Sequence, residues 1–266
     1  MKKNKLAVFG LSVLGLFVLL AIFAPLIAPY DPSDIVENET LPPSLKHLFG
    51  TDDLGRDIFS RALFGARISL TVGLVAVIIA ISIGTLFGAI AGYYGGLVDS
   101  AVMRFVDIML AFPSIFLILA IQVMLTPNIY NVMIVIGLTS WMGVARLVRG
   151  EFLRIRELQY VEAARAIGAS DLRIIFRHIL PNATAPIIVA ATLGMAGAIL
   201  TESALSFLGL GVQPPMPSWG NMLMDSQAYM RDAPWMAIIP GLLILITVLS
   251  LYFVGEGLRE HLNVRG

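Results

Sequence analysis

Few side chains in this 266-residue sequence stand where a reaction could run. Cysteine is absent, which removes disulfides, zinc-thiolate sites, iron-sulfur clusters and cysteine nucleophiles together. The three histidines, His47, His178 and His261, fall outside the long apolar runs, and no His-Glu-x-x-His helix offers a metal site. A phosphate-binding loop needs lysine directly after glycine, whereas Lys2, Lys3, Lys5 and Lys46 all follow other residues. No catalytic residue, metal or cofactor is therefore expected on this chain, and any energy must come from another protein. What remains is two carboxylates at the margins of apolar runs, Asp107 and Glu202, and a spacing better suited to docking: Glu162-Ala163-Ala164, then Gly168, Asp171 and Pro181.

The elements that would position this spacing can be read locally. Tyr160 to Ile167 is rich in Ala, Arg and Glu and predicts a short helix. Gly168 permits a sharp turn, and Asp171 is placed to cap a second helix running to Pro181. The result is a helix-turn-helix elbow in a basic loop between strongly apolar segments. Small residues at 163, 164 and 168 permit close approach, and Glu162 offers one carboxylate to a partner surface. Most of the surrounding arginines are explained by retention of positive charge near anionic headgroups.

The composition is 58% hydrophobic and 14% charged, with a mean hydropathy of +0.85. That describes an all-α polytopic membrane protein. Apolar runs occupy Leu6 to Ala28, Ile68 to Gly92, Ile108 to Ala145, Leu180 to Thr201 and Ala233 to Gly255. A spanning helix takes roughly 20 residues, so the third run holds two, divided at Thr126-Pro127-Asn128, and six transmembrane helices are expected. Pro113 is placed to kink the third. With the N-terminus inside, Lys2, Lys3, Lys5, Arg104, the seven arginines from Arg146 to Arg177, Arg259 and Arg265 face the cytoplasm. Only Lys46, Arg56, Arg61, Arg67 and Arg231 face outward, so both termini are expected to be cytoplasmic. The first run exceeds a signal-peptide core and reads as an uncleaved anchor. Two outer segments follow, Pro29 to Arg67 and Gly209 to Pro234. Ile58, Phe59, Leu63 and Phe64 suit an interfacial helix, and Trp219 an interfacial anchor.

The Glu-Ala-Ala, Gly and Leu-Pro order resembles the EAA loop of bacterial ABC importer permeases, the element through which an ATPase subunit pushes on the membrane helices. Two further patches agree with it. His47 to Asp57, continuing through Arg61 and Gly65 to Leu70, is similar to the first extracytoplasmic segment of C-type permeases of the dipeptide, oligopeptide and nickel importers. Glu202 to Gly211 and Pro217 to Gly220 resemble a second signature of that subfamily. The resemblance implies the ABC type I importer permease fold, with an N-terminal helix and outer segment over 1–67 and a five-helix core over 68–266 whose coupling loop spans about 146–181. It implies a paralogous permease partner, two cytoplasmic ATPase subunits carrying ATP and Mg, and an extracytoplasmic binding protein. Membrane lipid surrounds such a chain, and no nucleic acid is expected. The setting is a bacterial or archaeal inner membrane. Under this reading Glu162, Ala163, Ala164, Gly168, Asp171 and Pro181 couple to the ATPases. Asp52, Asp53, Arg56, Asp57, Pro214, Pro215 and Trp219 belong to the outer gate or binding-protein face, with the acidic run available to steer a partner. Gln122 and Glu202 are candidates for the pathway.

An ion-coupled secondary transporter is the alternative and would need paired acidic groups near the bilayer midplane. Asp107 and Glu202 are expected toward opposite faces, and Arg104, three residues before Asp107, is its expected partner. An intramembrane hydrolase finds no histidine in the apolar core. Small residues at Gly84, Gly88, Ala91 and Gly92, and at Gly194, Ala196, Gly197 and Ala198, prepare close helix packing within the chain or against a second permease.

Overall fold

The computed structural model describes residues 4–37 and 40–263. Lys2, Lys3 and Arg265, used above to orient the spans, lie outside the described residues. Helix α1 (Lys5–Ile22) starts on Asn4, whose side chain accepts from the Ala7 N–H, and α2 (Ala24–Ile27) follows it. An extended segment then leads to α3 (Ile58–Tyr94), capped by Asp57 accepting from the Ser60 N–H. Next come α4 (Gly96–Leu110) and α5 (Ser114–Met124). Helix α6 (Ile129–Arg156) is capped by Asn128, and α7 (Gln159–Ala166) and α8 (Asp171–Ile174) form the elbow. A π-helical turn at Ile175–Ile179 leads into α9 (Leu180–Phe207), followed by α10 (Trp219–Asp225) and α11 (Trp235–Asn263). Among the described residues the only β pairing is two isolated bridges, Ile35 with Arg56 and Thr51 with Asp57.

Five helices are long and apolar enough to cross a membrane, and α4 with α5 makes a sixth as a pair bent by 79°. The bend falls at Pro113, which cannot donate an N–H to the preceding turn. The expected interfacial helix is absent as a separate element. Ile58, Phe59, Leu63 and Phe64 form the first turns of α3, which continues unbroken into the second span, so the division drawn at residue 67 falls inside one helix. Nothing from Ile58 to Tyr94 interrupts it: there is no proline, and Gly65 packs against Trp219.

The bundle is built on small-residue contacts. On α3, Gly84, Gly88 and Gly92 face α6 so closely that a Cβ at Gly88 would lie 2.5 Å from the Ala145 carbonyl oxygen. One at Gly92 would lie 2.8 Å from that of Arg149. Gly137 of α6 answers against Ala76 of α3. This glycine stripe therefore serves packing within the chain. Gly194 likewise meets Val77, whereas Gly197 faces open space. Helix α1 lies on α11, with Gly10 against the Ser250 carbonyl, and Asn4 donates to Glu260 at 2.7 Å. Arg259 and Leu262 of α11 border the same cavity as Leu158 and Tyr160 of the elbow. The described chain ends and the elbow thus share one end of the bundle. The segments 28–57 and 208–234 meet at the other, where Arg56 donates to Asp225 at 3.2 Å.

Candidate functional site

The elbow is held by a small apolar cluster. Val161 of α7 is buried in it with Phe152, Ile155, Ile174 and Ile179, and Ala164 is buried as well, which leaves Glu162, Ala163 and Gly168 exposed. Gly168 has φ +82°, and a Cβ there would meet no heavy atom within 4 Å. Glycine is thus needed for its backbone conformation, not for space. The Ala169 N–H closes the turn on the Ala164 carbonyl at 3.0 Å.

Two expectations for the second arm change. Asp171 makes no cap bond; Ser170 holds the cap position, and the Asp171 carboxylate accepts the Tyr93 hydroxyl at 2.6 Å. Tyr93 lies in the last turn of α3, so this bond ties the elbow to the second span. Pro181 does not end a helix. It directly follows the π turn, where the Leu180 N–H already reaches back to the Ile175 carbonyl and the ladder is locally shifted, and Asp171–Phe207 is one helical run through it. The elbow's second arm is therefore the foot of a membrane helix. Sequence reading also missed an exposed apolar surface on the elbow: Ile167 is 86% exposed, Leu172 66% and Phe176 64%. The four-residue spacing of Leu172 and Phe176 in a basic loop was the available signal.

Several arginines of the basic loop have partners inside the chain. Arg156 donates to the Gly92 carbonyl at 3.0 Å and Arg149 pairs with Asp99. Asp107 pairs with Arg146 of α6, not with Arg104 one turn away, because α4 lies along α6 and brings the two together.

At the opposite end, the acidic run is interior. Asp52, Arg56 and Asp57 are buried. Arg56 Nε donates to Asp52 at 2.7 Å, Arg61 Nε lies 3.3 Å from the same carboxylate, and Arg61 Nη2 donates to Asp225 at 3.0 Å. These bonds join the start of α3 to the end of α10. Asp52, Asp53 and Asp225 converge within 4.8 Å, and the guanidiniums of Arg56 and Arg61 already sit among them. Asp53 is half-buried, and burial pushes its carboxyl above the usual range, with the charges of Asp52 and Asp225 adding to the effect. Asp57 caps α3 while contacting His47 Nδ1 at 2.9 Å, and the imidazole stacks on Tyr30. The expected steering surface of Asp52 and Asp57 is therefore corrected: both are consumed in anchoring the long helix. Trp219 is no interfacial anchor either. It is fully buried, its indole donating to the Ala62 carbonyl at 3.1 Å. Pro214 and Pro215 remain exposed, Pro215 beside a groove shared with Asp31, Phe64 and Arg67.

Glu202 is 0% exposed. Ser206 Oγ donates to it at 2.7 Å, and Ser69 and Ser203 lie at 3.3 and 3.5 Å. Ser206 Oγ accepts from the Val212 N–H at 3.0 Å, and the Trp219 N–H donates to Ser69 at 3.3 Å. Glu202 thus ties the far end of α9 to α3 and to the 209–220 loop. Gln122 is also enclosed, with Nε2 unpaired, and neither residue lines the cavity bordered by Leu147 and Arg259 or the groove beside Pro215.

Comparison with known proteins places this arrangement. Residues 84–265 match the family model described as binding-protein-dependent transport system inner membrane component, and residues 1–43 match the N-terminal TM domain of oligopeptide transport permease C. The dipeptide transport system permease protein DppC of Alkalihalophilus pseudofirmus is 49% identical over 99% of this chain and 87% of its own length. The oligopeptide transport system permease protein OppC of Bacillus subtilis is 42% identical over 98% and 86%, and the glutathione transport system permease protein GsiD of Pectobacterium atrosepticum 44% over 94% and 85%. An inward-facing structure of the MetNI methionine ABC transporter shares the fold, with a TM-score of 0.64 and 19% identity over 77% of this chain and 97% of that one. The chain belongs to the family of binding-protein-dependent transport system inner membrane components.

Proposed function

We propose that this chain is the permease subunit of an ATP-driven importer of dipeptides and short oligopeptides, forming half of the translocation pathway beside a paralogous permease. Relatives named for dipeptide, oligopeptide and glutathione transport favour peptides over nickel chelates. The elbow receives the ATPase subunits, which carry the ATP and Mg, and faces the cytoplasm together with both termini. The observation that carries this assignment is the exposed apolar group Ile167, Leu172 and Phe176, the last two standing on a helix continuous with a membrane span. Such a surface, beside Glu162, suits a protein partner, and force applied there acts on α9 as on a rod. Through Glu202 the rod's far end is bonded to the 209–220 loop, so displacement at the elbow reaches the outer segment that faces the binding protein. The N-terminal helix with its outer segment acts as an accessory to the five-helix core.

The ion-coupled alternative is disfavoured by the same geometry. Asp107 is paired with Arg146, and Glu202 is enclosed by serines at the other end. Proteoliposomes holding this subunit, a paralogous permease and the ATPases, with binding protein outside, should accumulate a labelled dipeptide when ATP is enclosed. Accumulation should persist when ionophores collapse every gradient and stop when Glu162→Lys is introduced. Uptake abolished by ionophore at constant ATP would overturn the assignment.

A further inference from the structure

We propose that the cavity between α6, α9 and α11 at the elbow end is an inner chamber that holds the transported peptide by its two charged termini before release. This rests on the importer reading and adds a binding site to it. The cavity measures about 860 Å³, within the range of roughly 300–1,000 Å³ of small-molecule sites. Leu147, Val189 and Leu193 supply apolar wall for peptide side chains, while Glu151, Arg154 and Arg259 bring both signs of charge to it. Arg154 grips Glu151 Oε2 through Nε at 3.2 Å and Nη2 at 2.7 Å, a bond that leaves Arg154 Nη1 and Glu151 Oε1 out of the pair. Arg259 is loosely held, 3.7 Å from Glu256. A short peptide is a dipole with an ammonium at one end and a carboxylate at the other. Glu151 meets the first and Arg259 with Arg154 the second, which an acyl chain or a purely anionic ligand would not require. Pro186 has no N–H for the Asn182 carbonyl, and both residues line the cavity, which spares a backbone acceptor for the ammonium. Leu158 and Tyr160 of the elbow complete the wall. Movement of the elbow therefore reshapes the chamber, linking the ATPase stroke to release of the cargo.

The absence of cysteine allows a direct test in the complete transporter, read on this subunit after its separation by gel. In inside-out vesicles without nucleotide, Val189→Cys should react with a charged maleimide, and trapping with ATP and vanadate should slow the reaction. Ile188→Cys, on the 49% exposed face beside it, should not respond to trapping. A dipeptide with free termini should protect Val189→Cys about two- to fivefold better than its C-terminal amide, the worth of an exposed ion pair, and Arg154→Gln with Arg259→Gln should erase that advantage. Failure of Val189→Cys to label in any state would mean that lipid or the partner permease fills the cavity, and equal protection by acid and amide would refute recognition of the termini. Either result alongside ATP-driven peptide uptake rejects the chamber alone; absence of uptake by the unmodified complex rejects the importer reading instead.

Discussion

Substitution at Gly168 isolates the backbone requirement of the elbow. The residue sits at φ +82° with no heavy atom within 4 Å of a Cβ, so a side chain adds conformational strain and no collision. An L-residue in the left-handed region costs roughly 1–2 kcal/mol, less for Asn and more for a β-branched residue. The neighbouring cluster of Val161, Ile174 and Ile179 is untouched, so the strain is absorbed by the turn while the spans stay folded. If docking requires the native turn, about 1–2 kcal/mol weakens ATPase binding roughly 5- to 30-fold. Titrating the ATPases onto purified permease pairs should give affinities in the order Gly, Asn, Ala, Val, with uptake falling in parallel. A contact-based role would instead rank the variants by size, placing Ala before Asn. Wild-type affinity for Gly168→Val, or Asn as weak as Val, would refute the reasoning.

Three further perturbations follow from the geometry. Gly88→Ala sets a methyl group 2.5 Å from a carbonyl oxygen that cannot move aside, so α3 and α6 must separate at a cost of about 1–3 kcal/mol. Its thermal midpoint in detergent should drop, while Gly143→Ala, which meets nothing within 4 Å, should hold or gain; the reverse order contradicts the packing. Glu202→Ala leaves a void and strands hydroxyls, about 2–5 kcal/mol, and should expose the 209–220 loop to protease. Glu202→Gln keeps the shape and lets serine hydroxyls reverse, about 1 kcal/mol, and equal effects of the two would sink the bonding scheme. Asp53 has its folded pKa raised above the ordinary 3.8, so its stabilising contribution is full below 3.8 and is lost as pH rises through the folded value. Asp53→Asn should therefore unfold at a higher temperature than the parent at neutral pH and lose that advantage as pH falls below 3.8; a lower midpoint at neutral pH would count against the assignment.

Hydropathy, charge and turn residues are local properties, and what depends on them was legible without coordinates. The apolar runs marked the spans, Pro113 marked the bend between α4 and α5, and Gly168 marked the turn of the elbow. The ordered patches around Glu162, His47 and Glu202 carried the family, because motif spacing is also a property of the chain alone. Partners were not legible. Asp52, Asp57 and Trp219 looked like surface because they are polar or amphipathic residues in a loop, yet they are buried where the start of α3 meets α10. Asp107 had a cation one turn away in sequence and takes another from α6. Pro181 read as a stop, but the π turn before it shifts the hydrogen-bond ladder and carries the helix through. Sequence fixes how much each residue would gain by leaving water or keeping its charge paired. Which neighbour satisfies it is decided only when helices far apart in the chain are brought within a few ångströms, since burial and hydrogen bonding act over that distance and no further.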